Sequence, residues 1–517
     1  MAIKITLLIV FFAVMVAVGL LCRSRAASVN DFVLGGRNVG PWLTAFAYGT
    51  SYFSAVVFVG YAGQFGWKYG IASTWIGLGN ALIGSLLAWV VLGRRTRVMT
   101  HHLKSTTMPQ FFGSRFESNP LKIFSAIIVF VFLIPYTASL YNGLSRLFEM
   151  AFNIDYSICV ILMAVLTAVY VIAGGYVATA VNDFIQGIIM LVGIVAVIAA
   201  VLSGQGGFMA ALSGLANIPA ETPGAYASFF GPDPLGLFGV VILTSLGTWG
   251  LPQMVHKFYA IKNEHSIKAG TVISAVFAVI VSGGCYFLGG FGRLFSDQID
   301  IAAGGYDSII PTMLSTLSDL LIGIVIVLVL SASMSTLSSL VLTSSSTLTL
   351  DLIKGSIVKK LSEKKQLLIM RLLIVVFIAI SVIIAIIQHS SNITFIAQLM
   401  GISWGALAGA FLAPFLYGLY WKRTTKASIW VCFIFGSGIM VLNLLAPGIF
   451  PTLLQSPINC GAFAMLMGLI LVPLVSIITP KPNKEHTKAI FACYEQKGEI
   501  PLKYAIDESA IEKDKGI

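Results

Sequence analysis

The stretch Tyr48-Gly49-Thr50-Ser51-Tyr52-Phe53-Ser54, followed by Gly60 and Gly63, interrupts an apolar segment at about 41–66. A second interruption, Gly247-Thr248-Trp249-Gly250-Leu251-Pro252, falls in the apolar segment at about 236–258, five segments further along. A membrane-spanning helix bonds its backbone groups internally, and Gly or Pro at mid-span frees some of them. Freed carbonyls can coordinate a cation and freed N–H groups a solute near the midplane. Paired interruptions in corresponding segments also mark two repeats of inverted topology. This pairing points to a five-plus-five core made of segments 2–6 and 7–11. Taken alone, the same residues also fit kinks and close-packing points, for which Gly and Pro are common in membrane helices.

The rest of the chain has the composition such a core needs. Of 517 residues, 57% are apolar and 10% charged, with a mean hydropathy of +0.92. Soluble proteins carry roughly 25% charged residues, so a water-soluble enzyme is excluded. At about 20 residues per span, hydropathy gives thirteen helices. They fall at about 5–22, 41–66, 70–93, 123–148, 156–173, 180–203, 236–258, 267–290, 318–348, 367–388, 393–420, 427–446 and 458–479. The first run has the length of a signal peptide, but Arg23 and Arg25 follow it without a small-residue cleavage site, and it is counted as a span. The expected fold is all-α and polytopic. One transmembrane unit covers 1–479, with the core repeat at about 41–421, one leading helix and two trailing helices, and 480–517 forms a cytoplasmic tail.

Charge placement separates the two faces of the membrane. The net charge is +11. With the N-terminus outside, the segments facing the cytoplasm (23–40, 94–122, 257–268, 354–371, 422–426 and 481–515) hold 28 of the 32 Lys and Arg. The other four, Lys4, Lys68, Arg146 and Arg293, fall outside with Glu149, Asp155, Glu221, Asp233, Asp297, Asp300 and Asp307. The positive-inside rule therefore places the chain in the plasma (inner) membrane, N-terminus outside and C-terminus in the cytoplasm. The basic excess reports topology beside membrane lipid rather than nucleic acid, and no obligate protein partner is inferred. Cys22, Cys159, Cys285, Cys432, Cys460 and Cys493 lack CxxC or metal-ligand spacing and read as small buried hydrophobes. The tail after Pro480 reads as solvated, and the loop 204–235 as an outer cap.

Of 21 acidic residues, only Asp183 sits well inside an apolar span, in Ala180-Val181-Asn182-Asp183-Phe184-Ile185-Gln186. A charge there costs about 2.5–3.5 kcal/mol on insertion scales, and no Lys or Arg in the spans offers itself as a partner. A bound cation would compensate it; a shallow helix cap shared with Thr179 and Asn182 is the alternative. The ninth segment supplies a complement, because 12 of the 19 residues from Ser331 to Thr349 are Ser or Thr. Ser335, Ser338 and Ser339 stand at i, i+3 and i+4 and share a face, with Thr336 beside them. Neutral hydroxyls with one carboxylate suit a small hard cation such as Na+. Isolated Ser and Thr, by contrast, bond back to their own helix or join neighbouring ones. Nothing points to catalysis. An intramembrane aspartyl protease needs two carboxylates, the six His lack ligand spacing, and no phosphate-binding loop appears. An ion gradient is thus the expected energy source.

At these residues the chain resembles the sodium:solute symporter family, its bacterial sodium/proline permeases above all. The resemblance runs over roughly 28–425. It rests on Asn30-Asp31-Phe32-Val33-Leu34-Gly35-Gly36-Arg37 leading to Gly40-Pro41-Trp42, Met108-Pro109-Gln110-Phe111-Phe112 with Arg115-Phe116, and Ser145-Arg146-Leu147-Phe148-Glu149. It rests equally on Gly174-Gly175 followed by Asp183 and Gln186, and on Ser333-Met334-Ser335-Thr336-Leu337-Ser338-Ser339. It implies a leucine-transporter-type fold with a leading extra helix, and Na+-coupled symport by alternating access. Carried over by position, it implies a main Na+ site from the carbonyls of Thr50, Phe53 and Ala332 with the hydroxyls of Ser335 and Thr336. Some members have a second Na+ site, whose pattern is present here as Asp183, Ser335, Ser338 and Ser339. One or two Na+ are therefore implied as coupling ions, ions and solute raising each other's affinity by the same factor.

The solute is less legible. Proline permeases carry an Asp in the second helix where this chain has Tyr52, and aromatic residues in the seventh where it has Thr244 and Thr248. Candidate solute contacts are Tyr52, Ser54, Phe58, Thr244, Thr248 and Trp249 at the interruptions, with Tyr136 and Tyr141 in the fourth helix; Tyr and Trp also serve ordinary packing. No Lys or Arg lies near mid-span, so a carboxylate has to be held by backbone N–H groups. That suits an amino acid or monocarboxylate better than a dianion. The expected cargo is a small organic solute, an amino acid such as proline first. The alternatives are a pantothenate or other monocarboxylate, a sugar, or a membrane sensor built on the same fold. A sensor calls for an appended signalling domain, and the 38 residues from Pro480 are too few for a kinase.

Overall fold

The computed structural model describes residues 2–23, 28–152, 154–301, 305–358, 361–391 and 396–495. Each of the thirteen expected segments contains helix among the described residues. Among the described residues, eleven continuous helices are long and apolar enough to cross a membrane. The shortfall comes from the second and fifth segments. The second is broken, and its second half runs on into the third as a single apolar stretch, Val56–His102. The fifth is the shorter apolar helix Tyr156–Val169. Gly70 (φ +62°) reverses the chain between the second and third segments. The Tyr48 hydroxyl consequently donates to the Gly84 carbonyl at 2.7 Å, across 36 residues that an unbroken helix would separate by about 54 Å.

Both interruptions are real breaks. The second helix runs Pro41–Tyr52, passes through extended Phe53 (φ −86°, ψ 127°) and Ser54, and resumes as Val56–Tyr61 and Ala62–Tyr69. The seventh runs Pro234–Leu246, tightens over Gly247–Trp249, and restarts as Pro252–Tyr259. Pro252 causes this second break: the residue before a proline is pushed out of the helical region, and Leu251 sits at φ −78°, ψ 121°. A third discontinuity divides the fifth and sixth segments within Tyr156–Gly204, at Gly175 (φ 56°, ψ −153°). A Cβ on Gly175 would lie 2.8 Å from the Phe32 ring and 3.0 Å from its carbonyl oxygen, so both conformation and space demand glycine.

The ninth and eleventh helices are the most enclosed, with 78% and 89% of their apolar windows buried, against 22% for the first and 33% for the tenth. The Ser/Thr-rich helix is therefore central. Among the ion pairs are Lys4–Asp319 (2.9 Å), Lys68–Asp233 (2.9 Å) and Arg94–Glu264 (3.1 Å); Lys68 and Asp233 are both residues that charge counting assigned to one face. All six cysteines are free, and five are buried. The tail departs from expectation, because Lys484–Glu495 is a helix packed against the bundle. Phe491 is buried beneath the Arg115 guanidinium at 4.9 Å, and the Tyr494 hydroxyl donates to the Arg95 carbonyl at 3.1 Å. Ile490, Phe491 and Tyr494 form an apolar stripe on one side, enough to dock a segment whose mean composition is polar.

Candidate ion and solute site

The ninth helix, Asp319–Thr347, stitches the broken second helix together. Breaking a helix orphans carbonyls at the end of one half and N–H groups at the start of the next. Here the Ala55 N–H donates to the Ser333 hydroxyl at 3.2 Å. On the other side of the gap, the Thr336 hydroxyl lies 3.3 Å from the Thr50 carbonyl, 3.2 Å from that of Phe53 and 3.1 Å from that of Ala332. One hydroxyl proton cannot serve three carbonyls at once, so the cluster retains acceptor capacity directed at one point. The neighbouring Ser335 hydroxyl is buried and has no hydrogen-bond partner. Four of the five residues assigned above to a main Na+ site, Thr50, Phe53, Ala332 and Thr336, are thus drawn together from two helices nearly 300 residues apart in sequence, while the hydroxyl of the fifth, Ser335, lies toward Asp183.

One helical turn further on lies a second polar cluster. Asp183 is fully buried in the sixth segment, and its carboxylate oxygens make no hydrogen bond. Its charge has a partner that hydropathy concealed. Lys257, in the last turn of Pro252–Tyr259, is itself buried and places Nζ 3.6 Å from Asp183 Oδ2. The same ammonium donates to the Ser339 hydroxyl at 2.9 Å, and Ser339 shares a 2.8 Å hydrogen bond with Ser51 at the end of the first half of the second helix. Asp183 and Ser339 thus meet through Lys257, while the Ser338 hydroxyl bonds back to the Ser335 carbonyl at 2.9 Å. The expectation that Asp183 lacks a basic partner is corrected: Lys257 was placed in a cytoplasmic connection, yet it ends a helix that the bundle encloses.

The candidate solute residues divide. Tyr52 and Tyr136 bring their rings to Trp404 of the eleventh helix, with centroids 5.7 and 5.9 Å apart. Gly247, at the second interruption, lets the same indole approach so closely that a Cβ there would lie 2.9 Å from it. The Tyr52 and Tyr136 hydroxyls, Ser54 Oγ and Trp404 Nε1 are all buried without partners. An unsatisfied buried group costs about 1–3 kcal/mol, so four of them around the two breaks form a place for a polar ligand or for water. Trp404 escaped the sequence reading; its one local mark is a large ring among the small residues Gly401, Ser403 and Gly405. Thr248 and Trp249 instead donate to the carbonyls of Gly84 and Ile83 in the third helix, both at 2.9 Å. Thr244 bonds back to the Val240 carbonyl at 2.9 Å. Phe58 is fully buried in the second half of its helix. Tyr141, five residues beyond Tyr136, projects from a different side of the fourth helix, and its buried hydroxyl has no partner.

Two helices interrupted at matching places, with the first clasped by a hydroxyl-rich central helix, define a multi-pass membrane carrier of the leucine-transporter type. Residues 32–436 match the sodium:solute symporter family, and the chain belongs to it. It is 28% identical over 489 residues to the osmoregulated proline transporter OpuE of Bacillus subtilis, an alignment covering 94% of this chain and 96% of that one. It is 30% identical over 488 residues to a sodium/proline symporter of Staphylococcus aureus, covering 92% of each. Among solved structures, a substrate-bound, outward-open Na+-coupled sialic acid symporter aligns over 93% of this chain and 99% of its own, with a TM-score of 0.72 at 17% identity. The inward-facing conformation of Mhp1 aligns over 87% and 94%, with a TM-score of 0.52 at 11% identity. The last two comparisons speak for the fold.

Proposed function

We propose that this protein couples the inward movement of Na+ to the uptake of a small amino acid, proline being the first to test, with its N-terminus outside and its C-terminus in the cytoplasm. The observation that carries this reading is the Thr336 hydroxyl facing the carbonyls of Thr50, Phe53 and Ala332 at 3.1–3.3 Å. A desolvated Na+ needs several oxygen ligands without excess negative charge, and these carbonyls with the hydroxyls of Thr336 and Ser335 form such a set. An ion held there ties the end of the broken helix to the central helix. Conformations that separate the two lose its ligands, and this differential binding is what lets an ion bias alternating access.

Proline as cargo draws on the two relatives named for it and on the aromatic walls of Tyr52, Tyr136 and Trp404, which suit a compact ring. At the second cluster the Lys257 ammonium stands 3.6 Å from Asp183, where a second Na+ would otherwise supply positive charge. Transport is therefore assigned one Na+ per solute. The test is uptake of labelled proline, other small amino acids, pantothenate, short monocarboxylates and hexoses into proteoliposomes under an inward Na+ gradient. Saturable uptake of a single class, lost in Thr336→Ala with the protein still folded, is the expected result. Uptake that ignores the Na+ gradient, or that survives Thr336→Ala unchanged, overturns the assignment.

A further inference from the structure

At the cytoplasmic end as assigned here, three segments enclose a polar cavity of about 490 Å3 lined by Arg37, Arg97, His101, Lys104 and Lys262. None of the described residues lining it is acidic. Two carboxylates stand nearby: Glu264 pairs with Arg94 at 3.1 Å, and Asp31 accepts from the Ser28 hydroxyl at 2.7 Å, so the cavity keeps an excess of cations. The guanidinium groups are held by backbone. Arg37 donates to the Tyr259 and Ser105 carbonyls, and Arg97 to those of Ile261 and Lys262. These contacts fix the direction of each fork while neutralising neither charge. Lys104 and Lys262 are exposed and reach the same space.

The backbone is strained at the same place. Among the described residues, three that are not glycine have positive φ, and two of them, Arg37 (57°) and Lys104 (52°), are cations of this cavity. Left-handed backbone costs a side-chain-bearing residue roughly 1–2 kcal/mol; at Lys104 it terminates the helix Arg94–His102, the Ser105 N–H donating to the Thr100 carbonyl at 2.9 Å, and it turns the lysine toward the cavity. Burial, together with the neighbouring Arg97, also pushes the Arg37 pKa down. Cations are thus gathered where they repel one another, and Glu264, already paired with Arg94, offsets Arg97 only in part.

We propose that this cavity is a binding site for a phosphate-type anion, with Arg37 and Arg97 as fixed donors and Lys104 and Lys262 completing the charge. Two sources share that chemistry, free phosphate in the cytoplasm and the phosphodiester of an anionic lipid headgroup, and basic pockets at the cytoplasmic ends of membrane helices take the latter. The site also bridges segments that the fold already joins. The Val39 N–H donates to the Ala260 carbonyl at 3.2 Å, and the Lys262 N–H to the Val39 carbonyl at 3.1 Å. A bound anion adds to this staple between the entry to the second helix and the exit of the seventh.

The experiment uses the full chain in nanodiscs. In phosphatidylcholine discs, inorganic phosphate is titrated at constant ionic strength while thermal unfolding is followed; in a second arm, phosphatidylglycerol replaces part of the phosphatidylcholine with no phosphate present. A stabilising shift in the first arm identifies free phosphate, and a shift confined to the second identifies a headgroup. Either shift should be lost in the double variant Lys104→Gln with Lys262→Gln, each lysine contributing about fivefold in affinity, and retained when both become Arg. Both lysines are exposed, so the Gln variant is expected to fold. The proposal is overturned if neither probe shifts the transition, or if the Gln variant responds as the parent does.

Discussion

Lys257→Met tests the reading of the second cluster. Methionine has about the length of lysine's apolar stem and lacks its ammonium, which stands 3.6 Å from Asp183 with both side chains almost entirely buried. Removing one partner of a buried pair costs about 3–5 kcal/mol, so at low Na+ the variant should unfold at a distinctly lower temperature. The lost charge can be supplied from solution. Na+ should enter between Asp183 and the hydroxyls of Ser339 and Ser335, and an ion at a hundred times its Kd returns about 2.7 kcal/mol. Two readouts follow. The unfolding temperature of Lys257→Met should climb more steeply with Na+, choline being the replacement cation, than that of the parent. Initial uptake rates should change from first-order to second-order dependence on Na+. Combining Lys257→Met with Asp183→Asn removes both charges and should return the Na+ dependence to first order. If Lys257→Met is folded, active and still first order in Na+, with an unaltered Na+ dependence of unfolding, the ammonium is not standing in for an ion and the reasoning fails.

Three further expectations concern the frame. Gly175→Ala should lose at least the roughly 1–2 kcal/mol of a left-handed backbone, and more because its Cβ meets the Phe32 ring at 2.8 Å; thermal unfolding in detergent measures this, and an unchanged transition would show that the kink is not demanded. Asp307, outside the spans, caps the eleventh helix through the Ile396 N–H, and burial raises its pKa from 3.8 to about 6. The folded state then holds a proton between about pH 4 and 6 that the unfolded state has released, so stability falls as pH rises through that window, by about 3 kcal/mol. Asp307→Asn should abolish this decline, and parallel unfolding-against-pH curves for the two proteins would refute it. Phe491→Ala removes the buried ring beneath Arg115 and forfeits about 1.5–3 kcal/mol of burial, so limited proteolysis should cut within 484–495 at least tenfold faster, with uptake activity reporting that the bundle remains intact.

What could be read in advance follows from how far each residue's influence extends. Pro252 and Gly175 act on their own backbone or that of a neighbour, and two of the breaks lie where they stand; Gly49 stays helical and packs against Phe277, and the second helix breaks four residues later at Phe53. Asp183 was visible as a charge in an apolar run because the cost of placing it there is local. Lys257 was not. It ends a helix beside polar loop residues, and hydropathy assigns such a lysine to water; only the packing of the sixth and ninth segments around that helix end encloses it. Trp404 likewise gains its place from the two helices that converge on it. Serine-richness on its own did not separate roles either. Ser338, Ser345 and Ser346 bond back to their own helix, whereas Ser333, Thr336 and Ser339 reach across to the broken one. One helix face at one spacing thus serves both ends, and only the position of the gap opposite decides between them.

The two clusters on the ninth helix then differ in a way that bears on coupling. Thr336 and Ser339 stand one turn apart on the same face, and each ties the central helix to the first half of the broken second helix, through Thr50 and through Ser51. At the Ser339 level the positive charge is Lys257 itself, covalently part of the seventh helix, so that clasp cannot dissociate into either compartment. At the Thr336 level the proposed charge is a free ion. Na+-coupled alternating access needs an ion that binds on one side of the membrane and leaves on the other, and of the two clasps only the proposed Thr336 site would release one. A tethered ammonium can shift position within the bundle or exchange a proton, but it releases no Na+. The proposed Na+ site at Thr336 would then carry the link with the Na+ gradient, while Lys257, 3.6 Å from Asp183 and 2.9 Å from Ser339, joins the sixth, seventh and ninth helices.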